Sequence, residues 1–349
     1  MTSQQRADAD GRREPARAAA DQQQGNDALA KSYRYLRLAM VGLLICLAAA
    51  VLYQSWRQGS LLGSVSAYYY TPAQAFFVGG LIGLGASMIA LKGTRPVEDV
   101  FLNLGGVFAV IVAIVPTGRD ADYRAAVQAC REAGTPLLTE KASTGLDCPT
   151  VQALEDATRA NVDNNLFALL FVGAIALIVS LILARRDGTL SRQAEKHAKR
   201  IFLWGFGVAS ALWLAILIAR LASLQWVVDN GHWIAAVSLF VCVLAVVLAN
   251  AGRVKSQQSG DEGRRQSSVK ESVKESLDAV GGLIAVRGPR NSYILIARVT
   301  LLVAAVTFAL WGLDLITLFW VEAAVFLFFM VFWAWQTFEL ERSTKPAAG

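Results

Sequence analysis

The chain has 349 residues, of which 55% are hydrophobic and 17% charged, and its mean hydropathy is +0.43. A soluble domain carries about 25% charged residues. Here the apolar residues also fall in blocks of roughly 20, the length that crosses a ~30 Å hydrocarbon core. A soluble globular fold is therefore excluded. The net charge of +6 does not mark a nucleic-acid binder, because the Lys and Arg residues flank the apolar blocks instead of lining one face, and the partner implied is the lipid bilayer.

In chain order, residues 1–33 are rich in Gln, Arg, Ala and Asp, lack an apolar period, and are expected to form a disordered cytoplasmic tail. Apolar blocks predict spans at 38–55, 74–91 and 100–116, a first group within 34–116. A loop over 117–163 follows, then spans at 164–184, 201–222 and 231–250 within 164–250. A basic loop covers 251–292, the last pair of spans lies at 293–313 and 317–337 within 293–338, and 339–349 is a short tail. The expected fold is thus an all-α, polytopic transmembrane bundle of about eight spans.

Alternating sides from a cytoplasmic N-terminus places 25 Lys and Arg inside and 7 outside, with Arg298 inside a span. Basic residues resist translocation, so both termini are expected in the cytoplasm. The 117–163 loop then lies outside, where disulfides persist, and it holds Cys130 and Cys148. Two short helices stapled by Cys130–Cys148 are expected there, the second opening at Pro149. Inside, Val269, Val273, Leu277 and Val280 fall on one helical stripe within 251–292, which suits either a charged, partly ordered linker or a helix on the inner leaflet or against a partner. A protein partner would meet the chain through 251–292 or through 117–163. Small residues at four-residue spacing, Gly79, Gly83 and Ser87 in the second span and Gly105, Ala109 and Ala113 in the third, predict a tight antiparallel hairpin.

The stretch from Ser64 to Thr117 contains the SxSAYYYT entry, FVG, a small-residue helix, KG, an ED pair, N-x-x-G and a closing PT. This pattern resembles a family of uncharacterised, actinobacterial-type membrane proteins with no assigned activity. The resemblance covers roughly a sixth of the chain and implies a bacterial inner-membrane location. Relatives with a histidine at the start of the next span differ from this chain, which reads NVDNNLFALLF there.

Few residues offer chemistry. His197 and His232 are the two histidines, expected on opposite faces of the membrane, and no zinc-ligand spacing, nucleophile elbow or phosphate loop occurs. No cofactor, metal or catalytic residue is expected. Intramembrane ionisable residues are the better leads, since a charge there costs several kcal/mol unless paired or wet. Glu322 enters the last span from outside and suits either a polar cavity or a hydrogen-bonded structural carboxyl. Arg298 enters the seventh span from inside and suits snorkelling. Ser64, Ser66, Tyr68, Tyr69 and Tyr70 either rim an outward-facing pocket or anchor the interface. Glu98 and Asp99 either complement the N-terminal dipole of the third span or, with Lys92 and Arg95, form a cytoplasmic charge cluster gripping neighbouring loops. Two functional readings stay open: a small-solute or ion transporter with Glu322 in its pathway, and a non-enzymatic membrane sensor, scaffold or assembly partner.

Overall fold

The computed structural model describes residues 3–93, 96–117, 148–191, 196–258 and 292–344. The described residues form eight α-helices: α1 (Ser3–Gln58), α2 (Gln74–Ala90), α3 (Pro96–Ile114), α4 (Cys148–Arg186), α5 (Lys196–Ala222), α6 (Leu224–Gln258), α7 (Ser292–Gly312) and α8 (Leu318–Thr344), with a 3-10 turn at Ser66–Tyr70. Six of them, α1 and α4 to α8, contain stretches long and apolar enough to cross a membrane. The apolar α2 is shorter, at 17 residues, and α3 has 19.

Three boundaries differ from expectation. The N-terminal segment is drawn out as a helical extension of the first span from Ser3, in keeping with the helix propensity of its Ala, Gln and Arg residues. The helix that opens at Cys148, with Pro149 in its first turn, is not a separate short element: it runs unbroken to Arg186. Its Gln, Ala, Leu and Glu residues favour helix, and no proline or glycine interrupts it before the membrane stretch. Finally, the expected loop between the fifth and sixth spans shrinks to Ser223, whose hydroxyl accepts from the Trp226 N–H (3.2 Å) and caps α6. Cys130 lies outside the described residues, and the Cys130–Cys148 pairing with it, as does the Val269–Val280 stripe.

The helix α3 is central, packed between α2 and α6; α1 closes on α2 and α8, and α7 lies against α6 and α8. The α2–α3 hairpin forms as expected, but through different glycines. A Cβ on Gly85 would sit 2.5 Å from the Gly106 carbonyl oxygen, and one on Gly106 would sit 2.6 Å from the Gly85 oxygen, so the two backbones touch. Gly83 instead faces Leu43 of α1, Gly79 meets nothing within 4 Å, and Gly105 faces Met88 and Cys242. On α3 the expected stripe does face α2, with Gly105 against Met88 and Ala109 3.4 Å from a Cβ built on Gly85, whereas on α2 Gly79 and Gly83 do not meet α3. The α7–α8 turn closes at Asp314, which adopts φ 57°, and the Leu315 N–H returns to the Leu310 carbonyl (2.9 Å) in the manner of a Schellman cap.

The pair α4–α5 stands apart. Trp213 Nε1 donates to the Leu170 carbonyl (2.8 Å) and Arg220 pairs with Asp163 (2.8 Å), yet none of the apolar stretch of α5 is buried. Phe171, Ile178, Leu214 and Ile218 are all exposed. Water would not tolerate so much contiguous apolar surface; lipid does. The chain is a multi-pass, all-α membrane protein.

Candidate functional site

One end of the bundle, called here the rim, carries residues 59–73 between α1 and α2. This segment folds as the 3-10 turn and is fastened to three helices. The Val65 and Ser66 N–H groups donate to Glu322 Oε2 (2.5 and 3.1 Å), and the Ser66 hydroxyl donates to Oε1 (2.8 Å). In return the Phe319 N–H, in the open first turn of α8, donates to the Gly63 carbonyl (2.8 Å). Helix starts leave N–H groups without partners. Here Glu322 supplies acceptors to the start of the 3-10 turn, the Ser64 hydroxyl accepts from the Ala67 N–H (3.0 Å), and the loop supplies one to α8.

Tyr68 is fully buried and forms a second fastening. The Leu62 N–H donates to its hydroxyl (3.2 Å), which hydrogen-bonds Ser55 Oγ on α1, and Ser55 donates onward to the Val51 carbonyl (2.8 Å). Its ring packs near Phe319, with centroids 6.4 Å apart. Tyr70 makes the third, donating its hydroxyl to the Thr117 carbonyl just past α3 (2.9 Å). On the same side His232 Nδ1–H of α6 donates to the Val115 carbonyl (2.8 Å), which ends α3, so this buried histidine is a structural cap.

The fastened loop forms one wall of a cleft of about 260 Å³. Tyr69, Tyr70, Thr71 and Gln74 line that wall; Leu154, Ala157, Thr158 and Asn161 line the other. The latter four recur at helical spacing along the part of α4 that precedes its membrane stretch, so they share one face. The five residues expected to rim a pocket therefore separate. Tyr69 and Tyr70 line the cleft, whereas Ser64, Ser66 and Tyr68 are buried in the fastenings. Glu322 joins the serines, some 256 residues away in sequence, and is not among the residues lining the cleft.

The opposite end, the base, holds a chain of polar contacts that sequence reasoning passed over. Arg37 Nε of α1 donates to Gln336 Oε1 of α8 (3.1 Å), Gln336 Nε2 reaches Asn250 Oδ1 of α6 (3.4 Å), and Asn250 Nδ2 donates to Glu98 Oε1 of α3 (2.9 Å). Glu98, Asn250 and Gln336 are buried. Asp99, its neighbour, accepts from the Gly93 N–H at the helix entry. Thus Glu98 is spent on tertiary contact and Asp99 on the local turn. Arg298 is half-buried in α7, roughly 21 Å of helix before the α7–α8 turn, and Glu322 lies just after that turn, so the structure does not bring these two together.

The amides of Asn250 and Gln336 inside apolar helices were a readable signal, since a buried amide demands partners. The α4 wall of the cleft was hidden by the expectation of a separate, stapled helix. Among the described residues no group of three or more His, Cys, Asp or Glu is placed to hold a metal ion. No family model, curated protein or solved structure matches this chain.

Proposed function

We propose that this chain is an integral protein of a bacterial inner membrane, with eight crossings and both ends cytoplasmic, that works by recognition at its extracytoplasmic rim: a non-enzymatic sensor or assembly partner. The orientation rests on the 25-to-7 distribution of Lys and Arg, which puts the rim outside. Crossing by the shorter α2 and α3 needs only modest local thinning of the bilayer. On the outer side Cys130 and Cys148 are taken to be paired.

The observation that carries the reading is the occupation of Glu322. A conduit with this carboxyl in its pathway needs it to face a wet cavity. Instead its oxygens accept from the Val65 N–H, the Ser66 N–H and the Ser66 hydroxyl, and the fastened loop forms a wall of the cleft. A preorganised cleft on a held loop suits binding, because little ordering cost remains for the ligand to meet.

The test is sidedness. With Cys46, Cys130, Cys148 and Cys242 replaced by alanine, Gln74→Cys places a single thiol in the cleft. A membrane-impermeant maleimide is expected to label it in right-side-out vesicles and not in inverted ones. Labelling from both faces would mean alternating access, and the recognition reading would give way to transport.

A further inference from the structure

We infer that the rim cleft is a binding site for a small, neutral, polyhydroxylated ligand, either a free monosaccharide or the sugar headgroup of a glycolipid. This deepens the recognition reading and rests on it.

The lining decides the chemistry. Among the described residues, none of the eight that line the cleft is charged. Against these walls a phosphate, carboxylate or ammonium ligand would meet no opposite charge to replace its lost hydration. What the walls do offer is hydrogen bonding of both senses. Gln74 and Asn161, both exposed, stand on opposite walls, and each side-chain amide carries a carbonyl acceptor and two N–H donors. The Thr158 hydroxyl donates to the Leu154 carbonyl within α4 (2.9 Å), so its oxygen keeps lone pairs to accept from a ligand hydroxyl. Thr71 is committed within the loop, donating to the Tyr68 carbonyl (2.8 Å) and accepting from the Ala73 N–H (3.2 Å).

A ligand meeting these groups must donate and accept repeatedly at short intervals, as vicinal hydroxyls do. The half-buried Tyr70 ring, backed edge-to-face by the buried Tyr69 at 5.1 Å between centroids, adds aromatic surface suited to the C–H side of a sugar ring. The size agrees. At about 260 Å³ the cleft lies below the roughly 300–1,000 Å³ of sites for drug-sized molecules, so the occupant is one ring rather than several. The cleft also lies where α4 emerges from its apolar stretch, so a headgroup anchored in the neighbouring leaflet would reach it as readily as a free sugar.

The experiment uses the full chain in phosphatidylcholine nanodiscs. One arm titrates glucose, mannose and myo-inositol, with glucose 6-phosphate and glucosamine as charged counterparts, read by intrinsic fluorescence. The second arm compares nanodiscs with and without monoglucosyl-diacylglycerol, read by native mass spectrometry. Saturable binding of a neutral probe is expected in at least one arm, about tenfold tighter than its charged counterpart, and the arm identifies the source. Gln74→Ala and Asn161→Ala, both at exposed positions, are each expected to weaken it about tenfold, and Ala157→Trp to abolish it by filling the cleft. Absence of neutral-probe binding in both arms, preference for the charged probe, or binding unchanged in Ala157→Trp would overturn the assignment. One-sided labelling of Gln74→Cys alongside such a failure would sink the ligand class alone; labelling from both faces would sink the recognition reading as well.

Discussion

The helices gathered around α3 and the outlying pair α4–α5 are alike in apolarity, yet the central group is the more buried. Half of the apolar stretch of α6 lies inside the protein, whereas none of that of α5 does. In water such a contrast would be paradoxical, because apolar surface drives helices together. In lipid the tails are as apolar as the side chains, so close backbone approach and hydrogen bonds decide which helices meet. The α3-centred group has both. Gly85 lies on Gly106, Glu322 holds the rim loop, and the Arg37–Gln336–Asn250–Glu98 chain crosses the base. Among the described residues the α4–α5 pair is held by side chains alone: the Trp213 indole on Leu170 and Gly173, the Arg220–Asp163 ion pair with Arg220 over Phe167, and, toward α6, Arg159 on Gln225.

Substitutions that act on close approach should break this contrast most sharply. Gly106→Leu, which must displace the Gly85 carbonyl, is expected to cost more than about 3 kcal/mol and to lower the thermal midpoint in detergent strongly. Gly207→Leu on α5, where a Cβ would meet nothing within 4 Å, should leave it nearly unchanged. Equal effects at the two sites would erase the distinction between the regions. Next comes the rim. Glu322→Ala strips acceptors from the Val65 and Ser66 N–H groups and should cost about 2 kcal/mol. Glu322→Gln should cost about half as much, because the amide oxygen can accept both N–H groups while the Ser66 hydroxyl turns to accept from the amide. A conduit would show the reverse sensitivity, with flux lost in the glutamine variant.

At the base, Asn250→Ala removes the shared partner of Glu98 and Gln336 and is expected to cost about 1–2 kcal/mol. The smallest effect belongs to Arg220→Ala in the outlying pair. Its ion pair with Asp163 is partly exposed, and loss of such a pair costs under about 1 kcal/mol. Thermal scans of these two variants under one condition would show whether polar contacts in the central group outweigh those at its edge.

These differences also explain what the amino-acid order revealed. Blocks of apolar residues are a local property, so the all-α architecture and the approximate positions of the apolar helices were legible, as was the turn at Asp314. Neighbour choice is not local. Small-residue spacing led to Gly105 and Ala109, which do meet α2, but also to Gly79 and Gly83, while the closest contact uses Gly85 and Gly106. Ser66 and Glu322 were each singled out, but nothing in their own surroundings said that one would receive the other. The cleft was half visible, through Tyr69 and Tyr70. Its second wall depends on α4 running straight on from Cys148 to Arg186. A cysteine in a loop expected to be stapled pointed instead to a separate helix.

The central claim is that Glu322 holds the rim loop in place. Hydrogen–deuterium exchange on nanodisc-embedded protein, comparing wild type with Glu322→Ala, tests it most directly. Faster exchange is predicted for the 62–71 segment, above all at the Val65, Ser66 and Ala67 amides, with α3 and α6 unchanged. Equal protection of that segment in the two proteins would contradict the claim.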